Sequence, residues 1–216
     1  MQTIVSTQSV HRPSLQRSPS GPSARGSSPD TYPTACTRRF RFRPFSCADI
    51  APFTALAGEH RIADTTIGVP HPYTAEYAQM WISSHSEAWK ARRALHWAAL
   101  PVGEERIVGY AGLQNIDLQR GQAELRFWVG CGVRRHENGA EWSEAVVDFA
   151  LTELNLYRIY ALQLERHPLA ARVLSTIGMQ REGLVRKRIY KGGLVEDIVC
   201  WAMLRGDWQR RPESER

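Results

Sequence analysis

The stretch that most constrains the fold is residues 123–150, AELRFWVGCGVRRHENGAEWSEAVVDFA. Its pattern predicts a buried strand, then a basic loop that contains glycine, then an amphipathic helix. A helix that follows a strand and a loop offers free amides and the positive end of its dipole at the N-terminus, and both favour phosphate groups. The stretch therefore predicts an α/β domain with a site for a phosphate-containing ligand.

The basic charge of the chain is concentrated at its N-terminal end. Residues 1–43 hold seven arginines and one acidic residue, Asp30, which accounts for the whole formal net charge of +6. The rest of the chain is balanced, so no excess positive charge remains for a basic groove on the folded part. This distribution argues against nucleic-acid binding.

The chain has four widely spaced cysteines, with no C-x-x-C pair and no cysteine–histidine set at zinc spacing. Such cysteines suit a reducing cytoplasm, and we expect no bound metal. No apolar run approaches the roughly 20 residues of a membrane span, and residues 1–30 lack the apolar core of a secretory signal. We therefore expect a cytoplasmic protein that does not bind membranes.

Three regions differ in composition. Residues 1–35 are rich in Ser, Pro and Arg and bury too little apolar surface to offset the entropy of ordering, so we predict a disordered tail. A single folded domain is predicted for residues 36–210. Residues 211–216 are predicted to be a polar C-terminal end.

Apolar periodicity and turn residues predict the element order β-α-α-β-β-β-α-β-α-β-β, which is typical of an α/β domain with a mixed sheet. Ser46 is the predicted N-cap of the first helix, with Asp49 as the reciprocal residue of a capping box. Thr74 is the predicted N-cap of the second helix, after a loop. The further segments are the loop at 60–73, a hairpin turn at 101–105, a strand at 122–130, helices at 139–154 and 169–176, and strands at 183–190 and 196–203.

Five sequence blocks occur in a characteristic order: FRFRPFSCADI, PYTAEYAQMWI, IVGYAGLQNID, AELRFWVG, and RVLSTIGMQREGLVRKRIYKGG followed by DIVCWAML and Asp207-Trp208. Through them the chain resembles the GNAT family of acetyl-CoA-dependent N-acetyltransferases, in particular the branch that includes ribosomal-protein N-terminal acetyltransferases. The resemblance runs from Thr37 to Trp208. It implies a mixed, mostly antiparallel sheet of about six to seven strands, flanked by helices, with a splayed central strand pair.

The resemblance also implies a site for acetyl-CoA. Phe127, Trp128 and Val129 match the strand that pairs with the pantetheine arm, although they are equally suited to a plain core strand. The phosphate loop of the family, Q/R-x-x-G-x-G/A, matches residues 135–140. The implied phosphate contacts are Arg134, Arg135, Asn138, Gly139 and Ala140.

The loop departs from the family pattern at two points. Asn138 stands where the first glycine is expected, and asparagine tolerates left-handed backbone better than most residues. Glu137 and Glu141 would repel a pyrophosphate at a cost of roughly 4 kcal/mol each at about 4 Å, so we expect both to point away from it.

Catalysis by such a domain requires a general base, because an amine that attacks a thioester must lose a proton. Glu124 matches the position at which several family members carry a glutamate, so it is the candidate catalytic residue. The alternative is a structural glutamate that pairs with Arg126. Leu174 occupies the place of the tyrosine that many members use as general acid, and Ser175 is a weak substitute.

Other family positions imply weaker contacts. His167 stands where the branch commonly has an asparagine and Ala170 where it has a serine, so His167 either contacts the pantetheine or caps a helix. The loop at residues 60–73 matches the acceptor-side lid, which makes Arg61, His71 and Tyr73 candidate substrate contacts.

The resemblance predicts transfer of acetyl from acetyl-CoA to a primary amine by direct attack, without a metal. The acceptor is a protein N-terminus or a small-molecule amine, and a homodimer is compatible with the pattern. The alternative is a non-catalytic domain of the same fold that binds a coenzyme, a small ligand or a protein partner.

Overall fold

The protein is built on one sheet of eight strands, seen in a computed structural model that describes residues 31–133 and 136–211. The strands are β1 (Ala35–Cys36), β2 (Phe40–Arg43), β3 (Leu95–Pro101), β4 (Gly109–Asp117), β5 (Gln122–Val129), β6 (Arg158–Leu164), β7 (Gln180–Lys191) and β8 (Leu194–Leu204). The helices are α1 (Ile50–Ala57), α2 (His60–Thr65), α3 (Ala75–Lys90), α4 (His136–Thr152), α5 (Pro168–Thr176) and α6 (Arg205–Arg210). None of these helices is long and apolar enough to span a membrane.

The strand order across the sheet is β1-β2-β3-β4-β5-β6-β8-β7. Every neighbouring pair is antiparallel except β5 and β6, which are parallel. The expected mixed, mostly antiparallel sheet is therefore confirmed, but it has eight strands instead of six to seven. The additional strand is β1, whose two residues pair with Phe42 and Arg41. Two residues are too few to show the alternation that identifies a strand in a sequence.

The central pair β5–β6 is splayed, as expected. The two strands pair only at Gln122↔Arg158, Ala123↔Ile159 and Glu124↔Tyr160. Beyond these pairs β6 follows β8 along its whole length, whereas β5 follows β4. The strands consequently diverge, and residues 125–129 of β5 have no partner strand on the side facing β6.

The described fold begins earlier than the predicted boundary at residue 36. The indole N–H of Trp89 donates to the carbonyl of Thr31 at 3.2 Å, and that of Trp97 donates to the carbonyl of Pro33 at 2.8 Å. Buried indole groups need such acceptors, so residues 31–35 are part of the fold. The remainder of the predicted tail and of the C-terminal end, residues 1–30 and 212–216, lies outside the described residues.

The helices agree with the sequence expectations at most positions. Thr74 caps α3, since its hydroxyl oxygen accepts the N–H of Tyr77 at 3.2 Å. The segment at residues 60–73 was expected to be a loop, but it contains α2, which is too short to show helical periodicity. Helix α4 begins at His136, three residues before the expected start. Helix α6 was not expected.

The two faces of the sheet are covered differently. Trp142 and Val146 of α4 are fully buried against one face, in the main core. The other face carries a smaller aromatic cluster formed with α1 and α3, which includes Phe53 and Trp128. The gap between β5 and β6 connects these two sides.

The ion pair between Arg43 and Asp49 ties β2 to the start of α1. Arg43 donates to both carboxylate oxygens of Asp49, at 2.7 and 2.9 Å. Asp49 also accepts the backbone N–H of Ser46 at 2.7 Å, which is the reciprocal bond of the predicted capping box. Burial raises the pKa of Asp49, but these hydrogen bonds outweigh burial and hold the pKa below its ordinary value.

We expect Asp49→Asn to lower the free energy of unfolding by about 3 kcal/mol at pH 7, because Arg43 loses its partner in a buried pair. A carboxylate with a lowered pKa stabilises above its ordinary pKa of 3.8 and loses that contribution as the pH falls. The difference between the wild type and the variant in urea unfolding should therefore become smaller as the pH is lowered from 7 to 3. Glu87→Gln, which removes an exposed pair with Arg93, should cost about 0.5 kcal/mol or less. Equal losses from the two variants would contradict this assignment.

Candidate active site

A cavity of about 280 Å³ lies where β5 and β6 separate. Its lining includes three successive residues of β5, Phe127, Trp128 and Val129. Successive side chains of a strand point to opposite faces of the sheet, so a cavity that contacts all three reaches the edge of β5 itself. The backbone groups of β5 that lack a partner strand therefore border this cavity.

One wall of the cavity is aromatic. Phe53 of α1 stacks parallel to Trp81 of α3 with ring centroids 5.0 Å apart. Phe53 also contacts Trp128 at 5.3 Å and Tyr73 at 5.9 Å. Tyr77 extends the same wall. This arrangement gives one side of the cavity a rigid apolar surface with hydroxyl groups only at its tyrosines.

The opposite wall is formed by β6 and α5, with a contribution from α4. A Cβ atom at Gly139 of α4 would lie 3.0 Å from Val173 and 3.4 Å from Phe127. Glycine at this position therefore lets α4 approach α5 and β5 closely. The lining residues of β6 and α5 and of the turn between them are Ala161, Leu162, Gln163, Leu164, His167, Leu169, Ala170, Val173 and Leu174.

A polar cluster lies on β4 and β5 at the inner end of the splay. The guanidinium of Arg126 lies 3.4 Å from Oε1 of Glu124 and donates to Oε1 of Gln114 at 3.3 Å. Asn115 donates to Oε2 of Glu124 at 2.9 Å. Arg126 and Gln114 line the cavity, whereas Glu124 is 4% exposed and does not line it. The predicted contact between Glu124 and Arg126 is therefore present.

Tyr110 borders the same cavity and contacts a buried histidine. Its hydroxyl lies 3.0 Å from Nδ1 of His96, whose ring stacks on that of His85 at 4.2 Å. Burial lowers the pKa of His96 to about 4, so this imidazole is neutral at pH 7. Burial also raises the pKa of Tyr110, which keeps the phenol protonated.

Among the described residues, no group of three or more His, Cys, Asp or Glu side chains could hold a metal ion.

The N-terminus of α4 differs from the expected phosphate loop. Because α4 begins at His136, Asn138 has helical backbone and does not adopt the left-handed conformation that we considered for it. Its side-chain amide donates to the carbonyl of Val133 at 2.7 Å. Ala140 packs into the main core and does not line the cavity. Arg134 and Arg135 lie outside the described residues.

The acidic residues at this end of α4 are directed to other partners. Glu141 accepts the backbone N–H of Arg39 at 3.0 Å and forms an ion pair with the same residue. Burial raises the pKa of Glu141, but hydrogen bonds from Thr37 and Arg39 outweigh burial and lower the pKa overall. The side chain of Glu137 is 55% exposed and lies 3.3 Å from Nδ1 of His136. The charge of Glu141 is thus compensated.

The predicted coenzyme and substrate contacts separate into two groups. Tyr73, Phe127, Trp128, Val129, Gly139 and His167 all line the cavity. Arg61 instead borders an adjoining depression beside Asp64, because it lies on the exposed side of α2. The depression shares Thr65, His167 and Leu169 with the cavity. His71 packs edge-on against His60 at 5.3 Å and is also absent from the cavity. The structure therefore brings Tyr73 to the cavity, but not Arg61 or His71.

Sequence reasoning missed Phe53, Tyr110 and Gln114 as lining residues. A signal for two of them was present in the strand GYAGLQNID, where Tyr110, Gly112 and Gln114 alternate and therefore share one face. A glycine and a glutamine on one face of a buried strand indicate that the face is not filled by ordinary apolar packing.

Leu174 does line the cavity, whereas the hydroxyl of Ser175 donates to the carbonyl of Arg172 at 3.0 Å.

Comparison of the sequence with known proteins gives a family match. A sequence model described as an acetyltransferase (GNAT) domain matches residues 39–180. The protein named Probable N-acetyltransferase YjcK, from Bacillus subtilis (strain 168), is 30% identical over 139 residues, which cover 62% of this chain and 75% of that protein.

Solved structures share the fold at lower identity. Ribosomal-protein-S5-alanine acetyltransferase from Vibrio fischeri has a TM-score of 0.72 at 20% identity, over 83% of this chain and 99% of that chain. RimJ from Mycobacterium smegmatis, in complex with CoA-disulfide, has a TM-score of 0.69 at 20% identity, over 76% of this chain and 81% of that chain. At these identities the structural likeness supports the fold alone.

We expect Arg126→Met to lower the free energy of unfolding by about 3 kcal/mol, because Glu124 would stay buried without its charged partner. Adding Glu124→Gln to this variant should recover part of the loss, since the buried charge is then removed. Urea unfolding of the two single variants and the double variant measures the coupling between the residues. Additive effects would mean that the 3.4 Å contact contributes nothing to stability.

Proposed function

The chain belongs to the GNAT acetyltransferase family, and we propose that it moves an acetyl group from acetyl-CoA to a primary amine on a protein N-terminus or a small molecule. The observation that carries the proposal is the unpaired edge of β5, which borders a cavity of about 280 Å³. An extended ligand with amide groups adds to such an edge as a strand does. The pantetheine arm of acetyl-CoA has these groups.

The start of α4 supports the proposal for the phosphate part of the coenzyme. A helix N-terminus favours anions, and Arg39 compensates the charge of Glu141 at this end. Gly139 keeps the wall close to β5 without a side chain that would fill the cavity. RimJ from Mycobacterium smegmatis, which shares the fold, was solved in complex with CoA-disulfide. The proposed coenzyme-binding residues are Phe127, Trp128, Val129, Gly139 and His167, which line the cavity, together with the arginines of the predicted phosphate loop, Arg134 and Arg135. Asn138 and Ala140 are not kept in this proposal, because neither lines the cavity.

Bound acetyl-CoA supplies the activated acetyl group, and the protein must supply an acceptor for the proton of the amine. We assign this role to Glu124, acting through water. Its Oε1 is buried at the inner end of the splay and accepts no hydrogen bond from the described residues. General-base assistance of this kind contributes about 10²–10⁴ to the rate.

A second candidate function is a non-catalytic domain that binds coenzyme or a protein partner. The observation that favours it is the lack of a hydroxyl on the α5 part of the described cavity lining, where Leu174 and Ala170 are found. Such a domain would bind CoA but would release no free thiol from acetyl-CoA with any amine. Thiol release therefore separates the two functions.

The proposal includes a cytoplasmic location. None of the four cysteines forms a disulfide, which suits a reducing compartment. The acceptor amine is the expected partner, and a homodimer is compatible with the proposal. Size-exclusion chromatography with light scattering measures the oligomeric state.

We expect acetyl-CoA to bind the full chain, with heat detectable by calorimetry at millimolar ligand or below. Ala170→Glu should abolish the heat, because it adds bulk and negative charge to the cavity wall facing the coenzyme. Ala88→Glu makes the same change at a half-buried position of α3 outside the cavity and should leave binding intact. No heat and no thermal shift with the wild type would contradict coenzyme binding.

Glu124→Gln should lower turnover about 100-fold while leaving the affinity for acetyl-CoA nearly unchanged, since the amide cannot accept the proton. The matched control is Glu144→Gln, which removes a half-buried glutamate paired with Arg211 away from the cavity. Release of free thiol in the presence of an amine panel gives the turnover. Unchanged turnover in Glu124→Gln would assign Glu124 a structural role only.

A further inference from the structure

The hydroxyl of Tyr110 occupies a central position on the sheet face that borders the cavity. A Cβ atom at Gly112 would lie 3.2 Å from this hydroxyl, so the phenol extends along β4 across Gly112. In the sheet register, Gly112 is the partner of His96 on β3 and of Arg126 on β5. The Tyr110 hydroxyl therefore lies over Gly112 of β4, a position without a side chain. The neutral imidazole of His96 is on the neighbouring strand to one side, and the guanidinium of Arg126 is on the neighbouring strand to the other.

His96 holds this hydroxyl and is itself held firmly. Its Nδ1 lies 3.0 Å from the oxygen of Tyr110. The hydroxyl of Tyr32 contacts both backbone groups of His96, donating to the carbonyl at 3.0 Å and accepting the N–H at 2.8 Å. The ring of His85 stacks on the other side at 4.2 Å. The backbone of His96 is thus held by Tyr32, and its ring contacts the Tyr110 hydroxyl and the ring of His85.

The oxygen of Tyr110 keeps hydrogen-bonding capacity toward the cavity. A phenol has one donor and two lone pairs. The Tyr110 oxygen also has a side-chain hydrogen bond with Gln114, which lowers the pKa of the phenol and is therefore one that the oxygen accepts. If the hydroxyl donates to Nδ1 of His96, one lone pair remains. In that tautomer the oxygen is able to accept an N–H from a molecule in the cavity.

The surroundings of this oxygen determine which ligand suits it. Trp81 lies 5.4 Å from the Tyr110 ring, and Phe53 and Trp128 continue the apolar wall. The neighbouring Oε1 of Gln114 accepts from Arg126, so part of its accepting capacity is already used. An amine that enters the cavity beside an apolar group is able to donate an N–H to Tyr110 while the apolar group packs on the aromatic wall.

We propose that the Tyr110 hydroxyl, positioned by His96, binds the nitrogen of the acceptor amine, and that the preferred acceptor carries an apolar group next to that amine. This assignment rests on the proposed acetyl transfer and names the acceptor class. Tyr110 is a substrate-binding residue in this assignment, and His96 is a positioning residue that acts through it.

The test measures binding of phenylalaninamide to the full chain by calorimetry, with and without saturating CoA, so that no reaction occurs. Tyr110→Phe keeps the ring and removes the oxygen, and it should weaken binding about tenfold. Tyr157→Phe is the matched control, because it removes the hydroxyl of an exposed tyrosine that does not line the cavity. Equal affinities in the wild type and Tyr110→Phe, or no binding to the wild type, would overturn the assignment.

Two variants at His96 test the positioning role. His96→Leu removes the polar partner of the hydroxyl and should weaken phenylalaninamide binding about threefold, while CoA binding stays unchanged. His96→Asn keeps a polar atom near the place of Nδ1 and should restore most of the affinity. Full affinity in His96→Leu would exclude His96 from the site. If His96→Leu does not fold, the comparison of Tyr110→Phe with Tyr157→Phe decides the proposal.

The acceptor class is tested with glycinamide, which has the amine without the apolar group. Its affinity should be at least tenfold lower than that of phenylalaninamide, and an equal affinity would contradict the preference. Turnover is measured separately as thiol release from acetyl-CoA. If phenylalaninamide binds through Tyr110 but no thiol is released, the proposed acetyl transfer is refuted. The assignment of Tyr110 as the amine-binding residue is still supported in that case.

Discussion

The separation of β5 from β6 after Glu124 and Tyr160 is the constraint on which the rest of the structure depends. Each strand pairs fully with its outer neighbour, β5 with β4 and β6 with β8, so the two halves of the sheet follow different directions. The backbone groups of residues 125–129 are left without a strand partner on one side. Buried backbone groups need a partner, and a ligand that pairs with them completes the sheet.

The gap also brings together chemistry from elements far apart in the sequence. Helices α1 and α3 supply an aromatic wall, and α5 supplies an apolar one. Two ion pairs compensate buried or half-buried acidic groups near the gap, Glu124 with Arg126 and Glu141 with Arg39. Because each carboxylate has its own basic partner, neither end of the cavity presents an uncompensated negative charge from these residues. Repulsion by these two carboxylates therefore does not oppose the proposed binding of a phosphate-containing coenzyme.

The sequence was informative where patterns are long and local. The strand, loop and helix of residues 123–150 and the capping of α3 by Thr74 follow from periodicity and cap chemistry. Short elements such as α2 have no period to detect. The role of Tyr110 was not visible either, because its contact with His96 joins two strands and depends on the missing side chain of Gly112. Such cross-strand proximity exists only once the register is known.

Hydrogen exchange of the β5 backbone tests the central claim most directly, which is that a coenzyme completes the open edge of this strand. Exchange of the peptide that covers residues 125–129 is measured by mass spectrometry with and without saturating CoA. The account predicts slower exchange of this peptide when CoA is present, with β3 unchanged because both of its edges are already paired. CoA that binds without slowing exchange at residues 125–129 would contradict the account.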